Sequence, residues 1–108
     1  MVRDLTATEL AQRLRAAEGG LVLLDVREPF EREIARIEPS VHIPMQEVPD
    51  HLDRLPRGAT IVVYCHSGGR SAAVAGFLEQ QGYEHVVNLR GGIDAWSREV
   101  DPSVERYG

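Results

Sequence analysis

Thr60-Ile-Val-Val-Tyr64-Cys65-His-Ser-Gly-Gly-Arg70-Ser71 is the stretch on which the reading of this chain turns. Its first five residues are all β-branched or aromatic, the composition of a buried strand. From Ser71 the pattern changes to small and apolar residues, Ala72, Ala73, Val74, Ala75, Phe77 and Leu78, which suit a helix stopped by Gly82. The strand therefore ends at Cys65, and a helix opens six residues later, after a Gly-Gly turn.

Outward from this segment, strands and helices alternate. Upstream, Leu21-Val-Leu-Leu24 is a continuous apolar run of strand length ending at Asp25, and Val41-His-Ile43 is a second short strand closed by Pro44. Downstream, His85-Val-Val-Asn-Leu89 is another strand. Thr6-Ala-Thr-Glu9 reads as a capping box, followed by Leu10, Leu14 and Ala17 at helical spacing until Gly19-Gly20. Pro29 suits the first turn of a short helix through Glu33, while Pro49 breaks Met45–Leu55 into one or two helical turns. Gly91-Gly92 is a turn, and Ile93 to about Val100 a last helix before Pro102. This alternation predicts an α/β sandwich with a mainly parallel sheet.

The 108 residues predict one domain, 1–108, with no repeat or linker. A chain of this size hides roughly 65% of its unfolded surface, enough for a core without disulfides or metals. The composition, 43% apolar and 27% charged, is that of an ordinary globular protein, and no apolar run approaches the roughly 18 residues of a membrane helix. A net charge of −5 argues against nucleic acid as a partner. All 12 basic residues are arginine, which excludes lysine Schiff-base chemistry. The single cysteine, Cys65, cannot form an internal disulfide, and the first residues lack the apolar core of a signal peptide, so the cytoplasm is the expected compartment.

In open parallel sheets, ligands bind beyond the carboxyl ends of strands, which is where Cys65 falls. The Gly-Gly turn and the helix start let the backbone N–H groups of His66, Ser67, Gly68, Gly69, Arg70 and Ser71 converge on an electropositive nest suited to an anion. Helix N-termini and neighbouring cations favour thiolate over thiol, and thiolate is the nucleophile. Arg70 adds a charged fork suited to an oxyanion. An unpaired cysteine is usually a small buried hydrophobe. Here the immediate succession of strand, cysteine, Gly-Gly, arginine and helix start favours function.

The chain resembles the rhodanese family of sulfurtransferases through Asp25-Val-Arg27-Glu-Pro29, Val41-His-Ile-Pro44, Cys65 to Ser71, and Arg90-Gly-Gly-Ile-Asp-Ala-Trp96, in the family's order and spacing. The resemblance implies a three-layer sandwich, a five-stranded parallel sheet with helices on both faces. It also implies that Cys65 takes sulfane sulfur from thiosulfate or a similar donor, holds it as a persulfide cradled by the amides of His66–Ser71, and passes it to a thiophilic acceptor, with Arg70 orienting the donor. No cofactor is implied. The chain departs from the family at Ala35-Arg36-Ile37, where many members have Gly-His-Ile, which places an extra cation there. The tail from Asp101-Pro-Ser103 to Tyr107 is similar to that of rhodanese domains attached to activating enzymes of ubiquitin-like sulfur carriers. With no resolving thiol in the chain, sulfur must leave intermolecularly, to a small thiol, a thioredoxin-like protein or such a carrier.

Two other functions compete. A thiolate, an amide nest and an arginine also suit a cysteine-based phosphatase or arsenate reductase. Cys65 through Arg70 spans six residues, the length of the sulfur-transferring loop, whereas the phosphatase-like relatives carry one more. A non-enzymatic regulatory or carrier-interaction module is the other, and in such relatives the cysteine is commonly absent. Elsewhere the structural roles dominate. Asp25 and Arg27 read as a pair that fixes their loop, Ser71 as a helix cap, and Trp96 with Ile93 and Val100 as the apolar face of the last helix. His66 is adjacent to Cys65 in sequence and so is poorly placed to act on it, and His42, His51 and His85 lack metal-ligand spacing.

Overall fold

The computed structural model describes residues 2–17 and 19–108. In chain order the elements are β1 (Arg3–Leu5), α1 (Ala7–Arg15), β2 (Leu21–Asp25), α2 (Pro29–Ile34), β3 (Val41–His42), β4 (Thr60–Tyr64), α3 (Gly69–Gln80), β5 (Val86–Leu89) and α4 (Gly92–Glu99). Two 3-10 turns, Met45–Asp50 and Leu52–Arg54, lie between β3 and β4, where Pro49 precludes a regular α-helix. The sheet order is β1-β5-β4-β2-β3, and each neighbouring pair is parallel.

Beyond shifts of one or two residues at other element ends, two differences from the sequence reading bear on the site. β1 was not legible because it is three residues long and only Leu5 is buried, so neither length nor alternation marks it. It is held by register with β5, Arg3 opposite Val87 and Leu5 opposite Leu89. The second concerns α3, which begins at Gly69 rather than Ser71. Gly68, the N-cap, has φ +116°, a conformation that a side chain opposes, and this lets the chain turn from the end of β4 into the helix two residues earlier. At α1 the expected capping box is present, with Thr6 Oγ1 accepting from Glu9 N–H (3.1 Å) and Glu9 Oε1 accepting from Thr6 N–H (2.8 Å).

The strand period of two sorts the core into two layers. Ile61, Val63 and Cys65 face one side, with Val74, Ala75 and Leu78 of α3 and Val48 of the 3-10 turn. Val62 and Tyr64 face the other, with Leu10 of α1 and Ile93, Ala95 and Trp96 of α4. Ile61 through Tyr64 are 0% exposed, so β4 is covered on both faces, as a central parallel strand must be. This parity aims the Cys65 side chain at the α3 side of the sheet.

Candidate active site

Cys65 leaves the carboxyl end of β4 immediately before the loop that becomes α3, and the residue is 1% exposed. Gly68 N–H and Ser71 N–H both donate to its sulfur, at 3.1 and 3.4 Å, and Ser71 Oγ lies 3.3 Å from it. The sulfur thus sits inside the first turn of α3, where unpaired backbone N–H groups gather. Ser71 Oγ donates to Asn88 Oδ1 (2.5 Å), and Asn88 Nδ2 donates to Asp4 Oδ1 (3.3 Å) and Gly68 O (3.4 Å). Asn88, on β5, therefore ties the serine and the loop to the sheet.

The opposite side of the loop rests on α4. Ile93 N–H donates to Cys65 O (2.9 Å) and Asp94 N–H to His66 O (3.1 Å), so the N-terminus of α4 fixes the two carbonyls next to the thiol. Gly92 makes this approach possible. At φ +60°, a Cβ there would lie 2.4 Å from Cys65 O and 2.5 Å from His66 O.

Of the other expected residues, Ser67 and Gly69 are exposed at the loop surface. His66 stacks on Tyr107, with centroids 4.3 Å apart and 23° between planes, and its Nε2 is buried without a hydrogen-bond partner. Arg70 is engaged by a carboxylate: NH1 and NH2 donate to Glu31 Oε2 and Oε1 at 2.7 and 2.8 Å. Hydrogen bonding from Arg70 holds the Glu31 carboxyl down at about 2, with burial opposing, and the same bonds raise Arg70 above its ordinary value. Both groups are charged at neutral pH. Arg36 is on the surface and pairs with Glu38 at 3.2 Å.

Below this pair lies a buried polar knot. Arg27 Nε and NH2 donate to Asp25 Oδ1 and Oδ2, both at 2.9 Å, in a bridge with both side chains fully buried. NH2 also donates to Ala35 O (2.6 Å), and NH1 to Glu31 O (3.3 Å) and Tyr107 Oη (2.9 Å). Burial raises the Asp25 carboxyl, but the Arg27 bonds outweigh it and the net direction is down. Tyr107 Oη in turn donates to Glu31 Oε1 (2.9 Å), and burial pushes its own hydroxyl up to about 12. Asp25 and Arg27 are the structural pair that the sequence indicated. Glu31 and Asn88 were not singled out, and Tyr107 was noted only for its tail. The one local sign for Glu31 is its place three residues after Glu28, whose N–H donates to it (2.9 Å), the spacing of a capping interaction.

Among the described residues no group of three or more His, Cys, Asp or Glu side chains could hold a metal ion, and no helix is long and apolar enough to cross a membrane. His42 instead places Nε2 2.7 Å from Arg27 O.

Residues 6–99 match the rhodanese-like domain. Over 108 residues the chain is 39% identical to a sulfurtransferase of Allochromatium vinosum, covering 100% of both chains. It is 35% identical over 97 residues to the thiosulfate sulfurtransferase GlpE of Pseudomonas aeruginosa, covering 90% of this chain and 86% of that one. Among solved structures, the rhodanese-related protein of Thermoplasma volcanium superposes with a TM-score of 0.83 at 35% identity, covering 97% of this chain and 99% of that one. With this likeness in sequence, in the five-stranded parallel sheet and over the full length of small sulfurtransferases, the chain belongs to the rhodanese-like domain family.

Proposed function

We propose that the protein is a sulfurtransferase that carries sulfane sulfur as a persulfide on Cys65. The observation that carries this reading is the convergence of two backbone donors, Gly68 N–H and Ser71 N–H, on the Cys65 sulfur. Donors of that kind stabilise negative charge on sulfur without needing to reorganise as the reaction proceeds. The thiolate attacks the outer sulfur of thiosulfate, the S–S bond of the donor breaks, and sulfite leaves with the electron pair. The second half returns the thiolate when an acceptor such as cyanide attacks the outer sulfur of the persulfide and departs as thiocyanate. His66, Ser67, Gly68, Gly69, Arg70 and Ser71 are the substrate-binding loop in this scheme.

With one cysteine in the chain, release is intermolecular, and the acceptor is a small thiol, a thioredoxin-like protein or a ubiquitin-like sulfur carrier. The six-residue loop from Cys65 to Arg70 supports sulfur over phosphoryl transfer. Intact mass before and after thiosulfate tests the scheme: one added sulfur is expected on the wild type, lost on cyanide treatment, and none on Cys65→Ser. Wild-type activity in Cys65→Ser, or aryl-phosphate turnover above that of thiosulfate, overturns it.

A further inference from the structure

Arg70 lies in the same loop as the nucleophile, and its side chain remains 35% exposed, yet its charge is already balanced. Its partner Glu31 is 6% exposed, and both carboxylate oxygens are fully used. Oε2 accepts from Arg70 and from Glu28 N–H, and Oε1 accepts from Arg70 and from Tyr107 Oη. A carboxylate offers about four acceptor positions, so this one is saturated and cannot swing away without losing several bonds. Tyr107 is anchored in turn by Arg27 NH1 (2.9 Å) and by the His66 ring. The neighbouring cations are also paired, Arg27 with Asp25, and Arg32 with Asp25 at 3.0 Å and with Glu38 at 3.8 Å. Arg70 therefore offers an incoming ligand its remaining N–H groups but little net charge.

We propose that Glu31 is the donor-selecting residue of this site. By balancing Arg70 it suits the loop to sulfane donors carrying no more than one negative charge, the class of organic persulfides, and disfavours the thiosulfate dianion. Tyr107 is the positioning residue that holds Glu31 in this state. The inference rests on the reading that Cys65 carries the sulfur. With a persulfide donor the Cys65 thiolate attacks the terminal sulfur of R–S–SH, the donor S–S bond breaks, the thiolate R–S⁻ leaves with the electron pair, and Cys65 becomes Cys–S–SH. At an effective dielectric of about 20, a fixed carboxylate about 12 Å from the donor repels each extra negative charge by about tenfold in affinity.

The test uses two donors of similar shape and different charge, thiosulfate and methanethiosulfonate, a monoanion that releases methanesulfinate. With cyanide as acceptor, kcat/KM for each is measured in the wild type, Glu31→Gln and Tyr107→Phe. The ratio of the two values does not depend on the fraction of folded protein. Glu31→Gln is expected to raise the thiosulfate-to-methanethiosulfonate ratio about tenfold, through the KM for thiosulfate rather than kcat. Tyr107→Phe, which keeps the ring on His66 and removes the hydroxyl, is expected to shift it about two- to threefold in the same direction. An unchanged or lowered ratio in Glu31→Gln overturns the proposal, and an unchanged ratio in Tyr107→Phe overturns the part given to Tyr107. No sulfur transfer from either donor in the wild type overturns instead the persulfide reading on which it rests.

Discussion

Arg27 uses every N–H of its guanidinium inside the protein: two on Asp25, one each on Ala35 O, Glu31 O and Tyr107 Oη. Such planar, five-donor geometry has no substitute among the side chains. Arg27→Lys is expected to destabilise the fold by roughly 2–5 kcal/mol, because an ammonium with three donors cannot serve all five acceptors and each buried acceptor left unpaired costs about 1–3 kcal/mol. Asp25 itself keeps Arg32 NH1 (3.0 Å), Tyr64 Oη (3.2 Å) and the N–H of residue 27 (3.0 Å). Denaturant unfolding measures this, and a change below about 1 kcal/mol contradicts it. Asp25, Arg27 and Cys65 were legible because each sits at a strand end within a short motif. Glu31 meets Arg70 across 39 residues, Ser71 meets Asn88 across 17, and Tyr107 meets Glu31 across 76. No local spacing encodes such pairings, so a glutamate in the first turn of a short helix reads as a cap on exposed surface until the tertiary fold closes on it.

At the scale of elements, the loop after β4 is held between two helix N-termini, that of α3 on the Cys65 sulfur and that of α4 on the carbonyls of Cys65 and His66. The Gly91-Gly92 pair was legible as a turn, but its role was not, because it depends on α4 meeting a loop more than twenty residues upstream. Gly92→Ala brings a methyl into backbone atoms at 2.4–2.6 Å and imposes a side chain at φ +60°. A cost on the order of 2–3 kcal/mol is expected, with sulfur-transfer activity falling more than the folded fraction as the loop is pushed away from α4. Gly58→Ala, where nothing lies within 4 Å of the new Cβ, is the control and should move stability by less than about 1 kcal/mol. Equal behaviour of the two variants contradicts the support given to α4.

For the whole molecule, the paired carboxylates set the acid limit of the fold. The Glu31 carboxyl falls from 4.5 to about 2 on folding, and those of Glu9, Asp25 and Asp94 also fall. Lowered groups stabilise the native state above their unfolded values, and that contribution disappears as pH drops through the folded ones. Melting temperature should therefore hold from neutral pH down to about 4.5 and decline toward about 2, and the gap between wild type and Glu31→Gln should close over the same interval. A gap that stays constant with pH would show that ionisation of Glu31 adds nothing to the native state. The layered α/β plan was legible because strands buried on both faces are continuous apolar runs, whereas β1, with one buried residue, exists only through β5. Along β4 the strand period places Cys65 with Ile61 and Val63, under α3, and Val62 and Tyr64 on the other side. Point substitutions in this strand alter volume but leave the direction of the sulfur unchanged. Losing or gaining a single residue between Thr60 and Cys65 reverses it and delivers the thiol to the α1–α4 layer, while a change of two restores it. The strand thus tolerates changes of spelling far better than changes of odd length, whatever the identity of the residue involved.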